Sequence, residues 1–435
     1  MNNADFWTSV RSIMYFLLLL FVIGSHAQNI TPGYYRMTNI GLSSFGGTVK
    51  GKTVKEECYV YAANGSYQMV AGSNAKQNIQ SIQMWTGLDN AIISPQTVIY
   101  IEKSSNNSHF QAQGKTLREM IGIDNNIIVN HVSGTTDTYT LTTTVSGLQA
   151  SLWVDKVKTG MYNMQGEMAY PTNYQITTTS QGIEAYRQWK LVPISSSTSN
   201  YVAVNASLEA NGKYYAPYYA SYPFKLVSSG MKAYYVNSIS NTKYTISEIT
   251  SEVIPAETPV IIECSSNNPA DCKIEPLLGS YGAISGNKLQ GVYFCNLSMS
   301  PETYPDCRTE FKAESMRVWA VKNGQLVLTN DPDKTRAVPL ALSGYSGIWL
   351  RANESYLPNV PSTAAADLLP ADAAVLGDAN NDDRVNVADI VYVVAFIKYG
   401  TMLPSYNEKG ADADESGTVD DADVEAIKDI IMTNP

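Results

Sequence analysis

The sequence predicts a mainly β protein of several domains that ends in a small α-helical domain. Its 435 residues are enough for two or three domains of about 150 residues each. Up to about residue 360, short alternating or β-branched stretches recur between polar turns, as in β-rich domains. Tyrosine, with 29 copies, suits half-buried strands, because its ring packs on one side and its hydroxyl reaches water. The clearest helical segments, DIVYVVAFIKYG and DVEAIKDIIMTNP, both follow residue 385.

The first 27 residues have the features of an export signal. Arg11 supplies a positive charge, the apolar run FLLLLFVI follows at 16–23, and the tripeptide SHA at 25–27 matches a small-x-small cleavage site. An apolar run this short cannot span a membrane as a helix, which needs about 20 residues. We therefore expect residues 1–27 to be a signal peptide and the protein to be secreted or associated with the cell surface, without a membrane span.

The acidic charge lies in the C-terminal tail. The formal net charge is −10, and residues 371–435 contain fourteen of the 40 acidic residues but four of the 30 basic ones, which is also −10. The rest of the chain is therefore neutral overall. The sequence lacks the cluster of Lys and Arg residues that is typical of nucleic-acid binding, so we expect no nucleic-acid partner.

Four of the five cysteines fall in one part of the chain, at Cys264, Cys272, Cys295 and Cys307. An exported protein meets an oxidising compartment, where disulfides form, and four cysteines allow three pairings. We predict Cys264–Cys272 and Cys295–Cys307, because each bond closes a short loop. The gaps between the cysteines are too long for a structural zinc site.

Residues 28–197 form the first predicted β region. Its opening strand YYRMTNIG and the tripeptide QMW at 83–85 resemble modules of the ricin-type β-trefoil, and the dipeptide QW at 188–189 resembles the same signature without its middle residue. The resemblance implies a β-trefoil-like domain and a sugar ligand. Core packing is the alternative role for Trp85 and Trp189.

Residues 198–361 form the second predicted β region. The segment VKNGQLVL predicts a hairpin with a two-residue turn at Asn323 and Gly324. In order along the chain, YYASYPFKLVSSGMKAYYV, VIPAETPVIIE and IWLRANESYLP resemble a recurring module of secreted proteins from Gram-negative gut bacteria. That resemblance implies a β-sandwich that spaces or presents its neighbours. Residues 362–374 are rich in Ala, Pro and Ser and are predicted to be a linker.

Oxygen-bearing residues recur with one fixed spacing in two 12-residue segments of the tail. Positions 1, 3, 5, 7, 9 and 12 of the first segment are Asp378, Asn380, Asp382, the carbonyl of Arg384, Asn386 and Asp389. The same positions in the second segment, 34 residues later, are Asp412, Asp414, Ser416, the carbonyl of Thr418, Asp420 and Asp423. This is the ligand order of a calcium loop, in which alternate residues point hard oxygens at one ion. The sequence therefore predicts two bound calcium ions.

The two loops depart from the usual calcium loop in particular positions. The first loop has Asp383 at position 6, where glycine normally makes the turn, whereas the second has Gly417. Position 5 of the second loop is the neutral Ser416, so we expect the second site to bind calcium less tightly. Val385 and Val419 both occupy position 8, where they could pair as a short strand.

A loop followed by a helix occurs twice in the tail, and the first loop has the sequence GDANNDDRVNVAD. This arrangement and this sequence resemble the type I dockerin. The resemblance covers residues 376 to about 433, within a predicted domain at 375–435. It implies that the tail folds on binding calcium and docks onto a cohesin module of another secreted protein, usually in polysaccharide breakdown. In that family, loop positions 10 and 11 carry partner recognition, which here are Val387 and Ala388, then Asp421 and Ala422. The two pairs differ, which argues against a symmetric binding mode.

The sequence offers no signature of a catalytic site. His109 and His131 are the only histidines beyond the signal, and no serine or cysteine lies in a nucleophile motif. We therefore expect a non-catalytic secreted protein that attaches through its tail and binds a ligand, possibly carbohydrate, through its β domains. One alternative is a hydrolase of O-glycosyl bonds in polysaccharide, which needs only two suitably placed carboxylates. The other is a structural protein whose tail is a calcium-stabilised cap.

Overall fold

The computed structural model of the chain is mostly β-sheet. It describes residues 30–41, 47–49, 52–54, 59–62, 82–84, 91–104, 107–116, 119, 125–145, 147–157, 161–162, 168–169, 173–178, 184–295, 306, 308–332, 338–339, 348–371, 376–382 and 384–433. Across these ranges the named α-helices are α1 (Val387–Tyr399), α2 (Glu408–Ala411) and α3 (Asp421–Thr433). None of the helices in this part of the chain has the length and apolar character to cross a membrane. The predicted signal peptide lies outside the described residues.

The first β region consists of short antiparallel strands. They are β1 (Gly33–Asn39), β2 (Gly47–Val49), β3 (Lys52–Val54), β4 (Val60–Ala62), β5 (Ile82–Met84), β6 (Ile99–Ser104), β7 (Asn107–Ala112), β8 (Lys115–Thr116), β9 (Ile128–His131), β10 (Thr138–Val145), β11 (Leu148–Ser151), β12 (Trp153–Val157), β13 (Met161–Tyr162), β14 (Met168–Ala169), β15 (Asn173–Thr177) and β16 (Gln188–Pro193). Eight of them form one sheet in the order β11-β10-β16-β1-β6-β7-β8, with β9 paired to β10. The others form two-stranded pairs.

The core of this region lies on one face of the eight-stranded sheet. Because successive side chains of a strand point to opposite faces, Tyr35 and Met37 of β1 enter the core together with Trp189 and Leu191 of β16. Trp189 is fully buried, and its indole Nε1 donates to the carbonyl of Leu152 at 2.9 Å. Trp189 is therefore a core residue, as the alternative to a sugar contact proposed. Trp85 lies outside the described residues.

The second β region continues with β17 to β31. The strands are β17 (Val202–Ala203), β18 (Leu208–Ala210), β19 (Lys213–Tyr218), β20 (Phe224–Leu226), β21 (Lys232–Ile239), β22 (Lys243–Glu248), β23 (Val260–Cys264), β24 (Lys273–Pro276), β25 (Gln290–Gly291), β26 (Arg317–Lys322), β27 (Gln325–Thr329), β28 (Val338–Pro339), β29 (Ile348–Trp349), β30 (Ser355–Leu357) and β31 (Asp367–Pro370). Three of them form the sheet β17-β24-β20, and ten form the sheet β18-β19-β23-β21-β22-β31-β27-β26-β30-β25.

Strand β23 shows where the cores of the second region lie. Val260 and Ile262 point into an apolar core between the three-stranded and ten-stranded sheets. Ile261 points to the other face, into a second core that also contains Trp319 of β26. Both faces of β23 are covered, which explains why its sequence VIIEC begins with three consecutive apolar residues rather than an alternating pattern.

The predicted hairpin turn is confirmed. Strands β26 and β27 pair antiparallel and are joined by Asn323 and Gly324 alone. Both residues have positive φ, 50° and 72°, which is the requirement of the tight turn that follows the twist of the strands.

The structure differs from the predicted linker over 362–374. Strand β31 (Asp367–Pro370) pairs parallel with β22 and antiparallel with β27, so it joins the two halves of the ten-stranded sheet. Leu368 is fully buried in the core that contains Trp319. A four-residue strand is too short to show a clear period, but pairing on both edges and one buried leucine hold it in place.

Arg36 of β1 is a fully buried cation. Its guanidinium donates from Nε to Thr97 Oγ1 at 3.1 Å, from Nη1 to Asn200 Oδ1 at 2.6 Å and from Nη2 to the carbonyl of Ala91 at 2.9 Å. Every hydrogen bond of this group to a described residue goes to a neutral oxygen. Burial lowers the pKa of Arg36 to about 10. The arginine therefore fastens β1 to residues 91–97 and to Asn200, where the second region begins.

A pair of side-chain amides joins the two β regions at a second point. Gln113 follows β7, and Asn353 precedes β30; their exposed fractions are 1% and 6%. Gln113 Nε2 donates to Asn353 Oδ1 at 2.7 Å, and Asn353 Nδ2 donates back to Gln113 Oε1 at 3.0 Å. Asn353 also exchanges hydrogen bonds with the backbone of Tyr219. Such a reciprocal pair leaves few polar atoms unsatisfied where the regions meet.

Cys264 and Cys272 lie side by side and are both fully buried. Their thiols are free and hydrogen-bonded to each other, and the contact with Cys272, followed by burial, raises the pKa of the Cys264 thiol. Cys272 Sγ also donates to the carbonyl of Ser266 at 3.0 Å. The Cys264–Cys272 disulfide stays a prediction, because the two thiols are adjacent but not bonded to each other. Cys295 is half-buried, and Cys307 lies outside the described residues.

Replacing Arg36 with lysine should destabilise the β regions by roughly 3 kcal/mol, because an ammonium cannot reach three acceptors arranged around a planar fork. The decrease should appear as a lower urea midpoint of unfolding. Arg187→Lys is the matched control, since the Arg187 side chain is 37% exposed and sits on the surface beside Glu184. Equal midpoints for the two variants would contradict the role given to Arg36.

Protein purified from an oxidising compartment should contain the Cys264–Cys272 bond. A non-reducing peptide map should show the peptide that carries Cys264 linked to the one that carries Cys272, and this link should disappear in Cys272→Ser. Reduction should then lower the free energy of unfolding by about 2–4 kcal/mol, as for other disulfides. If both thiols react with iodoacetamide in the unfolded, unreduced protein, the predicted bond is wrong.

Candidate metal centre

The tail consists of two loop-helix repeats that pack on one apolar cluster. Helix α1 supplies Val393 and helix α3 supplies Ile427, and both side chains are fully buried in this cluster. Val385 and Val419, at position 8 of the two loops, also pack there. They form no strand in the described structure, so the expected pairing of these two residues is wrong. Their shared role is to hold each loop against the cluster.

The first loop is organised around Asp389, which is fully buried. Its Oδ1 accepts from the backbone NH of Asn380 at 3.1 Å, and its Oδ2 accepts from the NH of Asn386 at 2.8 Å. Asn386 caps α1 in turn, since its Oδ1 accepts from the NH of Ala388 at 2.8 Å. This reciprocal arrangement is a capping box, which satisfies NH groups that the first turn of a helix leaves open.

The second loop repeats this geometry with the same distances. Asp423, also fully buried, accepts from the NH of Asp414 at 3.1 Å and from the NH of Asp420 at 2.8 Å. Asp420 Oδ1 accepts from the NH of Ala422 at 2.8 Å. Asn381 and Glu415, each at position 4 of its loop, both have positive φ, 58° and 56°. The spacing seen in the sequence is therefore a structural repeat.

Three carboxylates of the second loop converge. Oxygen atoms of Asp412, Asp414 and Asp423 lie within 4.8 Å of one another, and no other three His, Cys, Asp or Glu side chains in the described part of the chain come this close together. Hydrogen bonds, first from the Ser416 side chain and then from its backbone NH, lower the pKa of Asp414. Asp414 is therefore charged at neutral pH, and it lies close to the carboxyl groups of Asp412 and Asp423.

One carboxyl oxygen of Asp412 has no hydrogen-bond partner among the described residues. Oδ2 accepts from the NH of Gly417 at 2.9 Å, whereas Oδ1 is enclosed and has no hydrogen bond among the described residues. A buried carboxylate oxygen without a donor is costly, and a cation would compensate it. The donor set here is oxygen only, which suits a hard divalent cation such as calcium better than a thiophilic metal. The residues present therefore fit the ion that the sequence predicts.

The remaining predicted ligands lie in the loops and are held mostly by backbone NH groups. Asp382 NH donates to Asp378 Oδ1 at 3.0 Å, and Asn380 Nδ2 donates to Asp382 Oδ2 at 3.2 Å. In the second loop Ser416 Oγ donates to the carbonyl of Thr418 at 3.1 Å, so positions 5 and 7 are bonded to each other. Arg384 is exposed in the first loop, and Asp383 lies outside the described residues.

The predicted partner-binding residues sit at the exposed starts of the long helices. Val387 and Ala388 begin α1, and Asp421 and Ala422 begin α3; all four are exposed. The exposed fraction of Val387 is 66%.

The structure adds an apolar surface that the sequence prediction missed. Val391, one turn after Val387, is 57% exposed, and Tyr399 and Met402 are exposed near the far end of α1. The equivalent of Val391 in α3 is Glu425. The signal in the sequence was that α1 is apolar on two faces, of which the core around Val393 can cover one.

The two histidines lie in the first β region, far along the chain from the loops. His109 is in β7 and His131 in β9, and both are partly buried. His109 Nε2 pairs with Asn126 Oδ1 at 3.1 Å, and the His131 ring packs edge-on against Tyr139 with centroids 5.4 Å apart. Both imidazoles thus belong to partly buried strand residues.

Comparison with known proteins gave no assignment: no protein-family model matches the chain, and a search of curated proteins found no match either.

Proposed function

We propose that residues 375–435 form a dockerin-like domain that binds two calcium ions and attaches this protein to a cohesin-type partner. The observation that carries the proposal is the duplicated loop geometry, in which a buried aspartate at position 12 takes the same two backbone hydrogen bonds in both repeats. The protein is then a secreted, non-catalytic, modular binding protein. Its most natural setting is the breakdown of polysaccharide, as for the proteins that its tail resembles.

Calcium is favoured by the chemistry of the second loop. Asp412, Asp414 and Asp423 supply three carboxylates, and Ser416, the Thr418 carbonyl and Asp420 offer further oxygens from the same 12-residue segment. Calcium accepts six to eight oxygens in a flexible arrangement, whereas magnesium demands an octahedron and keeps several waters. Bound calcium would give the enclosed Asp412 Oδ1 its missing partner and offset the repulsion among the carboxylates.

Calcium added to the chelated protein should stabilise the tail, by about 2.7 kcal/mol when it is present at 100 times its dissociation constant. Isothermal titration should count two ions per chain. Asp414→Ala should weaken binding about tenfold or more, since it removes a ligand charge without touching a buried group.

Asp429→Ala is the control for that titration, because Asp429 is an exposed aspartate of α3 outside the loops and its loss changes the net charge equally. It should leave calcium binding unchanged. The metal proposal fails if no heat of calcium binding is seen, or if the two variants weaken binding by the same factor.

The apolar surface of α1 supports attachment through the first repeat. Val387 and Val391 are 66% and 57% exposed, which is unusual for neighbouring valines on a helix that already has a buried face. The surrounding tail, residues 371–435, has a net charge of −10, which equals the net charge of the whole chain. A partner that fits would present a small apolar patch with a neutral or basic rim. On α3 the equivalent positions are Asp421 and Glu425, which present charge instead.

Val391→Asp should abolish calcium-dependent retention of the partner. The immobilised protein is exposed to secreted and surface proteins of its own organism, in calcium and in chelator, and the retained protein is purified and titrated back for stoichiometry. Glu425→Ala, at the equivalent position of α3, should bind the purified partner as the unchanged protein does. Retention that survives Val391→Asp would rule out docking through α1.

For the β regions we propose a β-trefoil-like domain at 28–197 and a β-sandwich at 198–361, with carbohydrate as the ligand. Pairing of the first strand, β1, with the last, β16, supports a closed arrangement of the first region. The apolar core between the three-stranded and ten-stranded sheets supports a sandwich in the second. Glycan-array binding by the purified protein tests the ligand class, and release of soluble sugar would favour the hydrolase alternative.

A further inference from the structure

We propose that helix α2 couples the two cation loops, so that filling either loop raises the affinity of the other. The inference rests on the proposed calcium binding and assigns a positioning role to Asn407 and Gly410, neither of which is a predicted ligand. Helix α2 (Glu408–Ala411) lies between the repeats in the sequence and, in space, contacts the start of both loops.

The first end of α2 holds the backbone of loop one. Asn407, the residue that precedes α2, donates from its NH to the carbonyl of Ala379 at 2.9 Å and from its side-chain Nδ2 to the carbonyl of Asp378 at 3.1 Å. In return the NH of Gly377 donates to the carbonyl of Gly410 at 2.8 Å. Three hydrogen bonds thus fix the backbone around Asp378, the first ligand position of loop one.

Gly410 allows this close approach. A Cβ built on Gly410 would lie 2.1 Å from the carbonyl oxygen of Asp378, well inside van der Waals contact. Any other side chain would push loop one away from α2. Glycine weakens an isolated helix, so its presence in a one-turn helix is explained by the contact rather than by local stability.

The other end of α2 supplies loop two. Asp412 is the residue that ends α2, and its NH donates to the carbonyl of Glu408 at 3.0 Å. Asp412 is also the first ligand position of loop two, and its Oδ1 is the enclosed oxygen without a partner. Asn407, just before α2, therefore contacts position 1 of loop one, and Asp412, at the end of α2, is position 1 of loop two.

A four-residue helix cannot be stable by itself, because nucleating the first turn is unfavourable. The order of α2 therefore comes from its surroundings, which are the two loops and the apolar cluster in which Ala411 is fully buried. A cation that orders one loop therefore also orders α2 and lowers the conformational entropy that the second cation must overcome. The same coupling free energy acts in both directions by linkage, whichever loop fills first.

Two variants isolate the loops for measurement. Asp414→Ala disables loop two and Asp382→Ala disables loop one, and both residues are exposed, so neither change empties a buried position. Calcium titrations on the full chain, stripped of metal, give the affinity of loop one with and without a working loop two. We expect that affinity to fall about 5- to 150-fold in Asp414→Ala, the usual range of such couplings.

Asn407→Ala then tests α2 itself. In this background Asp414→Ala should lower the affinity of loop one by a clearly smaller factor, because the side-chain hydrogen bond from Asn407 to the carbonyl of Asp378 is lost and two backbone bonds alone join α2 to loop one. The single variant Asn407→Ala should still bind two calcium ions. Lys409→Ala is the control: it lies on the same short helix, is exposed, and should keep the full coupling. Gly410→Ala should weaken the coupling as well, and Asn407→Ala carries the test if that variant fails to fold.

The outcomes separate the two proposals. Absence of any calcium binding overturns the proposed metal function and with it this inference. Two ions that bind independently in the unchanged protein, with the same loop-one affinity in Asp414→Ala, overturn the coupling but leave the metal function standing. Coupling that persists in Asn407→Ala, at the level seen in Lys409→Ala, overturns the role of α2.

Discussion

Buried charge is the constraint on which the architecture of this chain depends. In the β part, Arg36 is surrounded by oxygens of Thr97, Asn200 and Ala91, so its charge is held without any other molecule. In the tail, Asp389 and Asp423 are equally buried and each accepts two backbone NH groups, but the second loop also brings the carboxyl groups of Asp412 and Asp414 close to Asp423. Arg36 therefore has its hydrogen bonds satisfied by the protein alone, whereas the proposed calcium ion would compensate the carboxyl groups that converge in the tail.

Buried polar contacts join the first β region to the second. Arg36 reaches Asn200, and Gln113 exchanges two amide hydrogen bonds with Asn353, so the first and second regions are joined by buried polar groups at two places. Polar contacts of this kind are specific in geometry, since each partner lost leaves another unsatisfied. Strand β31 then closes the ten-stranded sheet just before the tail begins. The β regions are thus joined to each other by buried polar contacts, and the proposed attachment domain follows them in the chain.

Features of the sequence that depend on local geometry were predictable. The Asn323-Gly324 hairpin needs two residues that accept positive φ, and the sequence shows them. The loop repeat was visible because each ligand position needs an oxygen at a fixed spacing. Features that depend on distant partners were not. Strand β31 is a short segment of an Ala- and Pro-rich stretch, and only its neighbours β22 and β27 make it a strand. Helix α2 has one turn and a glycine, so it leaves no periodic signal at all.

The difference between the outer surfaces of α1 and α3 bears on how the proposed attachment would work. The two repeats keep the same internal hydrogen bonds, yet Val387 and Val391 on α1 correspond to Asp421 and Glu425 on α3. A partner that covers the valines would, after a half-turn of the tail, have to bury two carboxylates instead. Leaving even one such charge buried without a partner costs several kcal/mol, or more than a hundredfold in affinity. In the proposed function, the internal symmetry would therefore serve the cation, while the unequal outer faces would restrict docking to one orientation.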